Sequence, residues 1–220
     1  MAHHNTLLKY QILKPKSPSK NPSPVVFLLH GYGSNEFDLL SLSRYFSSDT
    51  FIISLRAPLS IPGGYAWYPL EFSESGELMA TRSNRSSIEE SICLINSTYE
   101  HLSESYDFDD TKSGILGFSQ GAMISMALFS DTTQPYSWCA GLHGYLHDFH
   151  IPIPKNRPNK PLFITAGTDD PLIPFSKVKE TANVFSNIGF NVSFSTYVGG
   201  HGICEDLLLD FQNWLSKNSL

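Results

Sequence analysis

Residues 113–129 read Ser-Gly-Ile-Leu-Gly-Phe-Ser-Gln-Gly-Ala-Met-Ile-Ser-Met-Ala-Leu-Phe, which places a serine between two glycines where one apolar run ends and another begins. The first run has strand character and the second has the length and composition of a helix. A strand that turns directly into a helix leaves little room at the junction, and glycines at 117 and 121 remove the side chains that would fill it. Ser119 then sits at the apex of the turn in a strained conformation. Its hydroxyl is lifted above the sheet, and the backbone N–H of Gln120 faces the same space. A G-x-S-x-G match arises easily in a chain with 15 glycines. Its weight depends on whether a carboxylate and then a histidine follow in that order along the chain.

The flanking sequence supports the strand-turn-helix reading. Leu7 to Leu13 and Val25 to Leu29 read as strands, separated by a Pro/Ser/Lys segment (residues 14–24) that cannot hold a regular element. A helical pattern from Glu36 to Phe46 precedes the strand Phe51 to Leu55, and the stretch from Arg56 to Arg82 reads as irregular. Ser86 and Glu89 stand at capping-box spacing before Ile92, Ile95, Tyr99 and Leu102, which predicts a helix covering one face of a sheet. Beyond the serine turn come strands at Trp138–Leu142, Pro161–Ala166 and Val192–Val198, with helices near Ser176–Ser186 and from Cys204 onward. Strands alternating with helices predict an α/β fold with a mostly parallel sheet and helices on both faces, and residues 1–220 as a single domain.

In such a sheet the chemistry belongs to the loops that follow the strands. After Leu29 comes His30-Gly31-Tyr32-Gly33-Ser34-Asn35, whose glycines leave backbone amides exposed. The N–H groups of Tyr32 and Gln120 are the expected pair of donors for a developing oxyanion. After Ala166 comes Gly167-Thr168-Asp169-Asp170-Pro171, where either Asp169 or Asp170 has the position of an orienting carboxylate. After Val198 comes Gly199-Gly200-His201-Gly202. Of the eight histidines, His201 alone lies beyond the acidic loop, whereas His143, His147 and His150 follow the Trp138 strand. A weak serine nucleophile needs a base within hydrogen-bond reach, and that base needs a carboxylate to hold it. Ser119, His201 and one of the two aspartates therefore predict acyl transfer to water.

Charge narrows the partners. Fifteen Lys and Arg against 21 Asp and Glu give a net charge of -6, which repels phosphate backbones, so no nucleic acid partner is expected. The opening residues have no basic stretch leading into a long apolar one, and no transmembrane segment is expected; the location read from this is cytoplasmic. Cys93, Cys139 and Cys204 have no metal-like spacing and read as buried, reduced thiols. Composition is compatible with a monomer or a homodimer.

Taken together, Leu29-His-Gly-Tyr-Gly33, Gly63-Gly-Tyr-Ala-Trp-Tyr68, Gly117-Phe-Ser-Gln-Gly-Ala122, Gly167-Thr-Asp-Asp-Pro-Leu-Ile-Pro174 and Gly200-His-Gly202 resemble the phospholipase/carboxylesterase family of small α/β-hydrolases. That family includes acyl-protein thioesterases and short-chain bacterial carboxylesterases. The resemblance implies an α/β-hydrolase fold, with Ser119 as nucleophile, Asp170 as the acid and His201 as the base. It implies a serine esterase that uses neither metal nor organic cofactor and acts on a small-molecule or lipid-like acyl ester of short to medium chain. Thioesterase or lysophospholipase activity is the alternative within enzymes, and a low-turnover ligand-binding module of the same fold is the alternative outside them. The region from Pro62 to Arg82 corresponds to the variable border of the family's acyl pocket, which makes Tyr65, Trp67, Leu70 and Leu78 the expected substrate-binding residues. Two readings of that stretch stand side by side, an apolar lip over an acyl chain and an ordinary packed surface loop.

Overall fold

The structure is a computed structural model that describes residues 7–16, 22–72, 78–79, 82–131, 133–148 and 159–218; at 71–72, 78–79 and 82–83 the backbone alone is described. In chain order the elements are β1 (Tyr10–Leu13), β2 (Ser23–Leu29), a 3-10 helix (Asp38–Tyr45), β3 (Phe51–Leu55), β4 (Leu59–Ile61), β5 (Gly64–Ala66), β6 (Glu71–Phe72), β7 (Leu78–Met79), α1 (Arg82–Ser105), β8 (Phe108–Phe118), α2 (Gln120–Ser130), β9 (Trp138–Leu142), β10 (Pro161–Gly167), α3 (Phe175–Ile188), β11 (Asn191–Tyr197) and α4 (Glu205–Lys217). The central sheet has the order β1-β3-β2-β8-β9-β10-β11. Its pairs are parallel except for β1, which runs antiparallel to β3.

Alternation along the strands sorts the core into two layers. Val25, Phe27 and Leu29 of β2 point toward the layer holding Ile88, Ile95, Tyr99 and Leu102 of α1, the whole of α2, and Val178, Ala182 and Phe185 of α3. Val26 and Leu28 point the other way, toward Leu39 and Leu42 of the 3-10 helix and Leu207, Phe211, Trp214 and Leu215 of α4. This is the period of two expected for strands covered on both faces. Helix α2 is buried at every position from Gln120 to Ser130, which follows from an apolar sequence all round rather than along one stripe. The α4 layer is aromatic: Trp138, Phe163, Phe211 and Trp214 meet at centroid distances of 5.4–6.4 Å. Each such pair adds about 0.5–1.5 kcal/mol beyond the area it buries.

Several elements differ from the sequence reading. The helix expected from Glu36 is a 3-10 helix beginning at Asp38. Helix α1 starts at Arg82, so Ser86 lies inside it rather than capping it. The stretch from 56 to 82 is less irregular than expected, since β4 pairs with β5 and β6 with β7 in two short antiparallel ribbons. Such two- and three-residue strands are too short to show an alternation in sequence. Cys139 is buried as expected, but Cys93 and Cys204 are exposed. Cys93 falls on the wet face of α1, whereas Cys204 stands just before α4 in extended backbone, outside the helix. Among the described residues no helix is long and apolar enough to cross a membrane.

The junction of β8 and α2 is packed backbone against backbone. A methyl group at Gly117 would overlap the carbonyl of Gly121, and one at Gly121 would overlap the carbonyl oxygens of Leu29 and His30. No flexible side chain is available to move aside, so Gly121→Ala is expected to lower the unfolding free energy by about 3 kcal/mol or more, as a shift of the urea midpoint would show.

Candidate active site

Parallel strands bring their carboxyl ends to one edge of the sheet, and the β2, β8, β9, β10 and β11 loops meet there. Ser119 occupies the turn after β8 with φ 55 and ψ -118, a conformation that L residues rarely adopt. Its N–H is tied to the carbonyl of Leu142 at the end of β9, 2.8 Å away. Strain of this kind, on the order of 1–3 kcal/mol, persists only when the surroundings enforce it. Here the close glycine contacts and the Leu142 bond do so.

The three side chains singled out from the sequence are joined by hydrogen bonds. His201 Nε2 lies 2.8 Å from Ser119 Oγ, and His201 Nδ1 lies 2.7 Å from Asp170 Oδ2. The remaining oxygen of Asp170 accepts the N–H groups of Leu172 and Ile173 at 2.9 and 3.0 Å. Burial pushes the Asp170 carboxyl up, but the bonds from His201 and from these two amides outweigh it and hold the group below its ordinary value. Asp169 is exposed and accepts from the hydroxyl of Thr168 instead. Of the two adjacent carboxylates, Asp170 is therefore the one directed at His201.

Tyr32 and Gln120 flank the serine. Among the described residues, no hydrogen bond takes up the backbone N–H of Tyr32, and that of Gln120 is the first of α2, where no intrahelical acceptor exists. The Tyr32 loop is fixed from behind. Gly33 N–H donates to Tyr65 O and Tyr65 N–H donates to Ser34 O, both at 2.9 Å. The buried Glu36 carboxylate takes a two-pronged bond from Arg56 at 2.5 and 2.6 Å, while the Arg56 guanidinium lies 4.4 Å from the Tyr65 ring centroid. Inside this loop His30 is wholly buried, donating from Nδ1 to Gly31 O at 2.7 Å and accepting the Ala57 N–H at Nε2 at 3.1 Å.

A cavity of about 360 Å³ opens beside Ser119, walled by Tyr68, Leu70, Phe118, Met123, Leu172 and Ile173. Of the four residues expected to bind substrate, Leu70 lies in this wall. Tyr65 and Trp67 do not. Tyr65 packs on Arg56, and Trp67 is fully buried with its indole N–H donated to His30 O at 2.8 Å and its backbone N–H donated to Gln120 Oε1 at 2.9 Å. An aromatic residue whose polar atom finds a partner inside the protein serves the core rather than a pocket. The side chain of Leu78 lies outside the described residues.

Two features escaped the sequence reading. The side chain of Gln120, and not only its amide, matters to the site: it accepts from Trp67 and donates to Tyr68 O at 2.7 Å, pinning the cavity wall to the turn. The second feature is His143, directly after β9, with φ 53. It is 1% exposed, its Nδ1 lies 3.5 Å from Asp170 Oδ2, at the outer limit of a hydrogen bond, and neither ring nitrogen has a bonded partner among the described residues. An unsatisfied buried polar group costs about 1–3 kcal/mol. His143, Asp170 and His201 also form the one cluster among the described residues whose ligand atoms are close enough to hold a metal ion.

Burial lowers the pKa of both His30 and His143 from the ordinary 6.5. Each ring is neutral in the fold and gains a proton more readily once unfolded. Their contribution to stability is therefore fully present above about pH 6.5 and is lost as pH falls toward the lowered folded-state values. Denaturant unfolding between pH 7.5 and 5.5 is expected to show stability falling with acid, by up to about 1.4 kcal/mol per pH unit for each histidine. His143→Asn should remove its share of that slope.

The Phospholipase/Carboxylesterase family pattern matches residues 11–219. Acyl-protein thioesterase 1 of Debaryomyces hansenii is 29% identical over 171 residues, covering 72% of this chain and 70% of that protein. Among solved structures, the Bacillus cereus carboxylesterase superposes with a TM-score of 0.82 at 23% identity, covering 97% of this chain and 95% of that one. Zea mays acyl-protein thioesterase 2 superposes with a TM-score of 0.70 at 20% identity, covering 96% and 98%. The two superpositions establish the α/β-hydrolase fold, and the match along almost the whole sequence, together with the loops that meet at Ser119, establishes kinship: the chain belongs to the phospholipase/carboxylesterase family.

Proposed function

We propose that the chain is a serine carboxylesterase that hydrolyses esters of short to medium acyl chains through an acyl-enzyme. The observation that carries this reading is the Ser119 hydroxyl, 2.8 Å from His201 Nε2 and opening onto an apolar cavity. Ser119 attacks the acyl carbon while His201 takes its proton, and His201 then hands that proton to the departing alcohol. Water repeats the sequence in reverse, with His201 again as base. Asp170 keeps the Nδ1 proton of His201 in place and stabilises the imidazolium. The amides of Tyr32 and Gln120 receive the charge that develops on the carbonyl oxygen, where fixed dipoles act without reorganising.

The cavity supports an acyl group as the part of the substrate held at this site. At about 360 Å³ it lies toward the small end of the ~300–1,000 Å³ range of ligand sites. Its walls are mainly aliphatic and aromatic, and the exposed Leu172 and Tyr32 sit at its mouth. Thioester hydrolysis is the second reading, favoured by the thioesterase relatives. A chromogenic series from acetyl to palmitoyl, run with matched oxygen esters and thioesters, tests both. The carboxylesterase reading expects kcat/KM to peak at short or medium oxygen esters. A peak at long-chain thioesters would replace it with the second reading, and no turnover of any member would leave a binding module.

A further inference from the structure

On another side of the His201 ring lies a second cavity, of about 340 Å³, bounded by His143, Tyr197, Gly200, His201 and Cys204 among others; it shares only His201 with the apolar cavity. Three atoms that bind metal ions converge beside it. One ring nitrogen each from His143 and His201 and one oxygen of Asp170 lie within 4.8 Å of one another. Both Nδ1 atoms face the same Oδ2, at 3.5 and 2.7 Å. His143 is buried in a strained backbone conformation, and its ring satisfies nothing else among the described residues. Its Nδ1 thus faces the Asp170 carboxylate without closing a hydrogen bond of ordinary length, which leaves a lone pair there for a Lewis acid to take.

We propose that His143, Asp170 and His201 form an inhibitory zinc site. Two imidazoles and a carboxylate are the donor set of a three-ligand zinc centre, with water from the second cavity as the fourth ligand. In a tetrahedral centre with bonds of ~2.0–2.1 Å the ligand atoms stand about 3.3–3.4 Å apart. The 3.5 Å pair already fits, the 2.7 Å pair opens by about 0.6 Å, and the two nitrogens, at most 4.8 Å apart, close by no more than about 1.5 Å. Magnesium and calcium prefer oxygen donors throughout and fit poorly.

Zinc silences the serine by changing a tautomer. In the free protein His201 holds its proton on Nδ1, toward Asp170, and its Nε2 lone pair faces Ser119. Zinc takes the Nδ1 lone pair, so the neutral ring carries its one proton on Nε2. The ring then donates to the Ser119 hydroxyl and can no longer receive its proton. No proton need leave the site, and no bond within a substrate changes. The inhibition, though not the binding, rests on His201 being the base proposed above.

Calorimetric titration of zinc chloride into the full chain, in a non-chelating buffer, reads binding without reference to turnover, and ester hydrolysis over the same zinc range reads its consequence. One zinc per chain is expected, with hydrolysis falling as the site fills and returning on addition of EDTA. His143→Asn, chosen because asparagine tolerates positive φ, should weaken zinc binding at least about 100-fold, since even outer partners of metal ligands are worth ~10–100-fold. Cys204→Ser should leave zinc binding within about threefold, the ordinary spread for a residue outside the ligand set. The proposal is overturned if no zinc binds, if His143→Asn binds it as well as the parent, or if Cys204→Ser abolishes binding. A site that fills with zinc while hydrolysis continues undiminished would count against His201 as the base and leave the metal site standing.

Discussion

Ser119→Ala is expected to lower kcat for ester hydrolysis by on the order of 10^6, comparable to loss of the nucleophile in well-studied serine hydrolases, while the protein stays folded. The expectation separates chemistry from stability because, among the described residues, the hydroxyl makes a single hydrogen bond, to His201 Nε2, and the features that enforce φ 55 belong to the backbone. Removing the oxygen leaves the glycine packing and the Leu142 bond untouched. Steady-state rates with a chromogenic ester, read alongside thermal unfolding, check this. Residual hydrolysis within tenfold of the parent would mean that the serine is not the group attacked through.

Asp170→Asn should cost on the order of 10^4 in kcat. Its cause lies in tautomers. The carboxylate accepts from His201 Nδ1 at 2.7 Å and from two backbone amides through its other oxygen. An asparagine can keep the amide bonds with its oxygen, which turns its NH2 toward His201 Nδ1. The ring must then accept there and hold its proton on Nε2, facing Ser119 with a donor where an acceptor is required. Asp169→Asn should change kcat less than about threefold, as for surface substitutions away from a site, because Asp169 is exposed and bonded to Thr168. The two variants together distinguish the adjacent carboxylates by rate. If Asp169→Asn proves the crippling change, the assignment of the acid is wrong.

The site was legible where chemistry imposes chain order and strand ends impose position. Ser119, the acidic loop and His201 each follow a strand of one parallel sheet, and strand periodicity places those ends together. What the residues could not separate without a family resemblance was Asp169 from Asp170. That choice depends on which side chain turns inward past Gly167, a torsional matter invisible in composition. His143 obeys the same strand-end rule, following Trp138–Leu142, but it precedes the acidic loop and so falls outside the Ser, Asp, His order that guided the search. Its positive φ leaves no mark on a sequence. The region from 56 to 82 misled for a different reason. Tyr65 and Trp67 are aromatic near a pocket, yet their placement is decided by tertiary partners, Arg56 for one and the distant Gln120 and His30 for the other. Pocket and core draw on the same residue types, and only these contacts tell them apart.

The central claim, that His201 activates Ser119 for acyl transfer, is most directly tested by peptide mapping after brief exposure to a fluorophosphonate, in the parent and in His201→Ala. The parent should carry a single adduct, on the peptide containing Ser119, and its labelling should parallel the loss of ester hydrolysis. His201→Ala should remain unlabelled over the same interval. Hydrolysis that persists with Ser119 fully modified, or labelling equally fast without the imidazole, would contradict the account.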